Sequence, residues 1–269
     1  MGDQIMANLG LQIVSEDGTV KAQADGGQEA VLVYLEEYVP GDQIVFTVPQ
    51  VDSYYVVQVD DTMAEELVYI TKPEVVFTIP FGEKRISYNP KSFSQAPHYL
   101  TVRFARDYEI HAYRNLARNC MDQHGDPGCY PHTHANVETR GEAVFAARNA
   151  IDGVVANRSH GAWPYESWGI NRQDDAEITL EFGHPVDFDT IRLYTRADFP
   201  HDNWWVKATF LFSDGSTETV SMEKSYDAHT FPIKKTGITW IKLGQLIKAD
   251  DPSPFPALSQ IEVYGTPSK

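Results

Sequence analysis

The chain has 269 residues, 42% of them hydrophobic and 12% aromatic, a composition that supports packed cores and excludes a disordered chain. The formal net charge is −16, and both halves are acidic, so neither nucleic acid nor an anionic membrane surface is expected as a partner. No apolar run approaches the ~20 residues that cross a bilayer, and the opening MGDQIMANLG lacks a basic segment followed by an apolar run. The chain is therefore expected to act in the cytoplasm, or outside the cell if a leader has been removed.

The first half reads as short strands. VLVYLEEYV (31–39), DQIVFTV (42–48), YYVVQVD (54–60), LVYIT (67–71), EVVFTIP (74–80) and HYLTVRFA (98–105) are rich in β-branched and aromatic residues. Turn signals such as Pro40-Gly41 and Asn89-Pro90 separate them. Their spacing predicts an N-terminal β-sandwich over 1–115 whose role the sequence does not reveal. No phosphate loop or nucleophile motif occurs in it.

Residues 116–134 change character. They are polar, carry Gly-Asp-Pro-Gly at 125–128, and are expected to form a linker or an ordered loop. The stretch holds both cysteines, Cys120 and Cys129, with His124, His132 and His134. The spacing C-x8-C-x2-H-x-H matches no zinc pattern, so the histidines are read as solvated. A zinc site and a local disulfide remain the alternatives.

The second half, 135–269, returns to alternating strands. In AEITLEFG (176–183), Ile178, Leu180 and Phe182 face one way and Glu177, Thr179 and Glu181 the other. TIRLYTR (190–196) follows, then WWVKATFLFSDG (204–215) with a hairpin signal at Ser213-Asp214-Gly215-Ser216, then GITWIKLG (237–244) and QIEVYG (260–265). Counting back from Phe212 and Phe210 places Ala208, Val206 and Trp204 on the apolar face. Trp205 would then be held out beside the loop Arg196–Asn203.

That loop, with RADFPHDNWW, mixes aromatic plates with planar polar groups. Saccharides require this mixture, because a sugar's C–H face stacks on an aromatic ring while its hydroxyls need paired donors and acceptors. The candidate binding residues are Trp163, Arg196, His201, Asp202, Asn203 and Trp205, provided that the loops 159–170 and 196–205 meet in space. The competing view is that Arg196 pairs with a nearby aspartate and Trp205 packs under a loop.

ARNAIDG (147–153), EITLEFGHPVDFDTIRLYTR (177–196) and SQIEVYG (259–265), in that order, resemble the discoidin or coagulation-factor V/VIII type C family. The resemblance covers about residues 135–266. It implies a galactose-binding-like jelly roll of the carbohydrate-binding-module type, and hence an all-β chain of two β-sandwich domains. It also implies a structural calcium between the AIDG turn and the terminal strand. The matching positions are Asp152 and Glu262, with Asn157 and Ser159 between. The family's terminal disulfide is absent, since both cysteines precede the domain.

Glu166, Asp198 and Asp202 supply carboxylates, but nothing in the sequence marks a glycosidase acid/base pair. The expected function is non-catalytic saccharide recognition at one end of the C-terminal sandwich. A protein–protein interaction module using the same aromatic loops is the alternative, and a homo-oligomer is compatible with either.

Overall fold

The computed structural model describes residues 8–269; the segment MGDQIMA, on which the leader expectation rests, lies outside them. The described chain is all-β, with two sheet-rich, sandwich-like units.

The first unit contains β1 (Leu9–Val14), β2 (Val20–Gly26), β3 (Glu29–Tyr34), β4 (Gln43–Thr47), β5 (Ser53–Gln58), β6 (Glu66–Ile70), β7 (Glu74–Thr78) and β8 (His98–Phe104). One antiparallel sheet has the order β2-β1-β4-β7, and the facing sheet runs β6-β5-β8-β3. Alternation builds the layer between them. Ala30, Leu32 and Tyr34 of β3 and Val75 and Phe77 of β7 are buried, while the residues between them are exposed. β1 and β2, which the sequence reading did not assign, complete the first sheet.

The crossing segment is ordered and stitched into both units. β9 (Arg114–Asn115) pairs with the last strand of the chain, and β10 (Cys129–Tyr130) extends the N-terminal sheet at β6. Leu116 and Ala117 enter the C-terminal core, whereas Met121 and Cys129 enter the N-terminal one. Its buried polar groups are paired: Asn119 donates to Pro131 O at 2.8 Å, and the Arg148 guanidinium donates to the carbonyls of Cys120 and Asp122 at 2.9 Å each. Both cysteines are free and buried, so the local disulfide is not formed. Burial pushes both thiols up from their ordinary pKa.

The second unit contains β11 (His132–Ala135), β12 (Trp168–Gly169), β13 (Ile178–Thr195), β14 (Trp205–Phe212), β15 (Thr217–Ser221), β16 (His229–Phe231), β17 (Lys235–Lys248) and β18 (Ala257–Pro267). Their order is β12-β18-β13-β17-β14-β15, with β11 and β16 also on β13. Short 3₁₀ turns at Ala143–Phe145 and Ala147–Ala150 lead into this unit.

β13 joins two strands that the sequence shows separately. It pairs mainly with β17 before Gly183 and mainly with β18 after Val186. Gly183 has φ 75°, and a Cβ there would lie 2.5 Å from the Tyr130 ring, so only glycine allows the bend.

The tryptophan assignment is reversed. Trp205 is fully buried and packs on Trp168 with ring centroids 6.4 Å apart. Trp204 is half-buried, edge-on to Phe199 at 6.2 Å and under the Lys224 ammonium at 5.3 Å. The cause is a β-bulge. Trp205 pairs with Lys248 and Lys207 with Ile247, so two steps on β14 match one on β17, and Val206 is the extra residue. An inserted residue flips every side chain before it, which puts Trp205 on the face of Ala208, Phe210 and Phe212.

Candidate functional site

A concavity of about 450 Å³ opens at one end of the C-terminal unit, where residues 139–145, 169–172, 196–201 and 254–257 meet. Its size suits a small ligand. β13 delivers Arg196 into it from just past Thr195, and the Arg196 amide continues the ladder to Ala257 O at 2.9 Å. The guanidinium is buried. It forms an ion pair with the buried Asp202, and Nη2 also donates to Phe255 O at 3.1 Å. Its Nε has no partner.

The loop after Arg196 is held by the polar residues that were expected to bind ligand. Asp202 accepts the Asp198 amide at 2.8 Å, and the His201 and Asp202 amides donate back to Asp198 O. Asn203 donates to Ala249 O at 3.1 Å and Ser253 O at 2.8 Å, and accepts the Trp204 amide at 2.7 Å. Asp202 and Asn203 are fully buried, and neither lines the pocket. Their hydrogen-bonding capacity goes to backbone and to Arg196, so their assignment as ligand contacts is corrected.

His201 is where that scaffold leads. Its side chain is 50% exposed and stacks on His160, with centroids 4.6 Å apart and planes within 8°. On Phe255 the figures are 5.6 Å and 9°. His160 Nδ1 lies 2.6 Å from Asp198 Oδ2. The loops 159–170 and 196–205 do meet, but through two histidines and not through tryptophan.

Three arginines border the space. Arg140 forms a two-pronged bond to Glu142 at 2.6 and 2.7 Å and lies over Phe145, and Arg196 is paired as above. Arg172 lies 4.6 Å from the Phe255 ring centre and has no carboxylate partner among the described residues. No Asp or Glu lines the pocket.

Trp163 and Trp205 are both corrected. Trp205 is core. Trp163 is half-buried in a smaller concavity of about 200 Å³ shared with Tyr88, Arg148 and Asp152, and its amide donates to Ile86 O of the first unit at 2.9 Å. Of the six expected residues, Arg196 and His201 line the loop-end pocket. The sequence reading missed Arg140, Phe145, Arg172 and Phe255. Phe255 had a usable signal, an aromatic flanked by Pro254 and Pro256 directly before the closing strand. The arginines had none.

The calcium expectation divides. Asp152 is buried beside Glu166, whose two carboxyl oxygens are buried without a partner. Burial drives both carboxyls above their ordinary pKa, Asp152 to about 6 and Glu166 to about 9, and the neighbouring Asp152 charge raises Glu166 further. Gln260 is also buried with both amide atoms unpartnered. Trp168 pairs with Leu258, which brings the segment that follows Glu166 alongside β18, the strand that carries Gln260. Glu262 is not in this group, since it accepts from Tyr264 OH at 3.1 Å and faces Arg192 at 3.9 Å. Asn157 spends its amide on Thr195 O and Tyr226 O at 3.3 and 2.9 Å, and Ser159 is half-buried in the loop before His160.

Groups of His, Asp and Glu with metal-ligand proximity occur at His132, His134 and Glu181, at His160, Asp198 and His201, and at Asp60, Asp61 and His98.

No family model matches the chain, and no curated protein sequence matches it. Solved structures of carbohydrate-binding modules and lectin domains are similar in fold. One is a chitosan-binding module from a Paenibacillus chitosanase/glucanase, at 17% identity and TM-score 0.38, covering 57% of this chain and 100% of that one. Another is a fucose-binding module from Streptococcus pneumoniae, at 14% and 0.41, covering 56% and 96%. A third is the family 32 module of C. perfringens NanJ in complex with galactose, at 18% and 0.36, covering 49% and 91%.

Proposed function

We propose that the protein is a non-catalytic saccharide-binding protein whose ligand occupies the loop-end pocket of the C-terminal unit. The observation that carries the reading is the convergence of a parallel His160–His201–Phe255 stack with the buried Arg196, one of whose donors is unspent. Stacked rings offer a flat apolar face to the C–H side of a pyranose. Arg172 and the ring nitrogens of His160 and His201 offer hydrogen bonds to its hydroxyls. Glycoside hydrolysis needs two carboxylates facing the scissile bond. The pocket wall has none, and Asp198 and Asp202 beside it are engaged with His160 and Arg196.

The same reading takes the C-terminal unit as a galactose-binding-like jelly roll of the discoidin type, with a structural calcium. Asp152, Glu166 and the Gln260 amide oxygen are the side chains that would hold it. The buried Glu166 carboxyl, with both oxygens unpartnered, beside the buried Asp152, whose Oδ1 accepts the Val154 amide at 2.8 Å, supplies the hard, oxygen-only donors that calcium takes. The ion would let both carboxyls ionise and would tie the Asp152 turn to the 166–168 segment.

The test is a glycan array followed by calorimetry on the best ligand, with His201→Ala beside the parent chain. Removing the half-exposed plate is expected to weaken binding about tenfold or more and leave the melting temperature unchanged. Silence on every saccharide, or unaltered affinity in His201→Ala, would reject the reading.

A further inference from the structure

Outside the lining of the saccharide pocket, β11 and β13 bring together three metal-type donors, His132, His134 and Glu181. His132 lies directly across from Glu181, and His134 across from Thr179. Residues two apart on a strand share a face, so His132 and His134 project together and Glu181 joins them. Their donor atoms all lie within 4.8 Å of one another. Neither His134 nor Glu181 has a side-chain hydrogen bond or ion pair among the described residues.

The fourth participant is Asp122, which is 2% exposed. Its Oδ2 accepts the Thr133 amide and hydroxyl, both at 2.9 Å, and its Oδ1 lies 2.7 Å from His132 Nδ1. The carboxylate accepts the Nδ1 proton, which fixes the tautomer and leaves the lone pair on Nε2. His132 is 4% exposed, and its Nε2 has no hydrogen-bond partner. A carboxylate behind one ring nitrogen and a free lone pair on the other is how metal-binding histidines are oriented.

We propose that His132, His134 and Glu181 form a binding site for a divalent transition metal of the zinc class, with Asp122 as the residue that positions His132. Zinc takes imidazole and carboxylate donors in a tetrahedral set, and three protein ligands leave one position open to solvent. Bonds of ~2.0–2.1 Å bring such donors to about 3.3 Å apart. The exposed His134 and the half-buried Glu181 can make that contraction by side-chain rotation while Asp122 holds His132 in place. Two imidazoles select against calcium, so this site is chemically distinct from the all-oxygen group around Asp152.

The placement gives the metal a structural consequence. Tyr130 pairs with Tyr69 in the N-terminal sheet, and two residues later His132 pairs with Glu181 in the C-terminal one. A metal there clamps the crossing strand to β13 at the junction of the two units.

The experiment uses the full chain, stripped with chelator and titrated with zinc chloride at pH 8, where imidazoles are neutral. Binding is followed by calorimetry and by melting temperature, with cobalt as a visible-spectrum probe of tetrahedral nitrogen and oxygen ligation. One zinc per chain and a raised melting temperature are expected. His134→Ala and Glu181→Gln, neither of them a core substitution, should weaken zinc at least tenfold and abolish the cobalt spectrum. His160→Ala, which disrupts the separate His160, Asp198 and His201 group, should leave zinc uptake and the cobalt spectrum unchanged. No zinc uptake by the parent chain, undiminished uptake in His134→Ala, or loss of uptake in His160→Ala would each overturn the assignment.

Discussion

Trp204 and Trp205 are adjacent and chemically identical, so truncating each isolates the effect of the Val206 bulge. Trp205 is fully buried against Trp168. Truncating a buried Trp to Ala costs about 3–5 kcal/mol in transfer and cavity terms. One feature offsets part of that, because the Trp205 indole N–H is buried without a partner. Removing an unsatisfied buried donor returns about 1–3 kcal/mol, so the net cost of Trp205→Ala is about 2 kcal/mol at the middle of a range of about 0–4 kcal/mol. Trp204→Ala loses a half-exposed ring, its edge contact with Phe199 and the Lys224 cation–π contact, together about 0.5–2 kcal/mol. Trp205→Phe keeps most of the apolar area and removes the orphan donor, so its cost falls below that of Trp205→Ala by at least 1 kcal/mol. Urea unfolding of the three variants at one temperature, with midpoints and slopes compared, provides the measurement. A larger loss from Trp204→Ala than from Trp205→Ala would refute the bulge and restore simple alternation along β14.

Calcium at Asp152 and Glu166 predicts that chelator lowers the melting temperature and that added calcium restores it; with Glu166→Gln the calcium response should vanish, and an identical response in that variant would exclude the group. His98 gives a pH signature. Burial holds it below its usual pKa, with its ring centre 4.1 Å from that of Tyr38, tilted by 32°, and its Nδ1 3.9 Å from Asp60. The unfolded chain takes up a proton near pH ~6.5 when the folded chain does not, so this contribution is intact above that pH and is lost as pH falls toward the folded value. His98→Phe should flatten the decline in urea midpoint between about pH 6.5 and 5, and an unchanged slope would remove His98 from the account. Saccharide binding should survive Trp204→Ala, because Trp204 does not line the pocket; a tenfold loss there would move the site to the Phe199 side of the loop.

Much of the architecture was legible because period-two alternation survives wherever a strand is regular. Ile178, Leu180 and Phe182 are buried as their spacing requires, and so are Ile44 and Phe46. Alternation fails where a residue is inserted, and nothing in WWVKATF announces that Val206 is extra. β1 and β2 escaped notice because LGLQIV and VKAQADG carry a weak pattern, and β2 is largely exposed even when folded. At the site, Arg196 and His201 were legible as polar groups in an aromatic loop. Their neighbours Asp202 and Asn203 looked equally suitable, because sequence does not distinguish a side chain turned toward ligand from one turned toward backbone. Arg140, Phe145 and Arg172 come from distant segments that only folding brings together.

That division between anchoring and offering residues is physically necessary. A loop of eight residues, 196–203, between β13 and the Trp204-Trp205 pair has backbone groups that water cannot all satisfy once Arg196 and Asp202 are buried. Asp202, Asn203 and the Ser253 hydroxyl, which donates to His201 O, satisfy them from within. The buried Arg196–Asp202 pair costs desolvation and adds little net stability, yet it fixes where the guanidinium stands. Asp198, receiving amides from one side and His160 from the other, fixes the stacked rings. A saccharide exchanges strong hydrogen bonds to water for similar ones to protein, so its affinity depends on how little ordering the site must undergo at the moment of binding. On the proposed reading, the polar residues turned away from the pocket supply that order in advance, and so acidic and aromatic a loop presents only one imidazole, His201, and one guanidinium, Arg196, to the pocket.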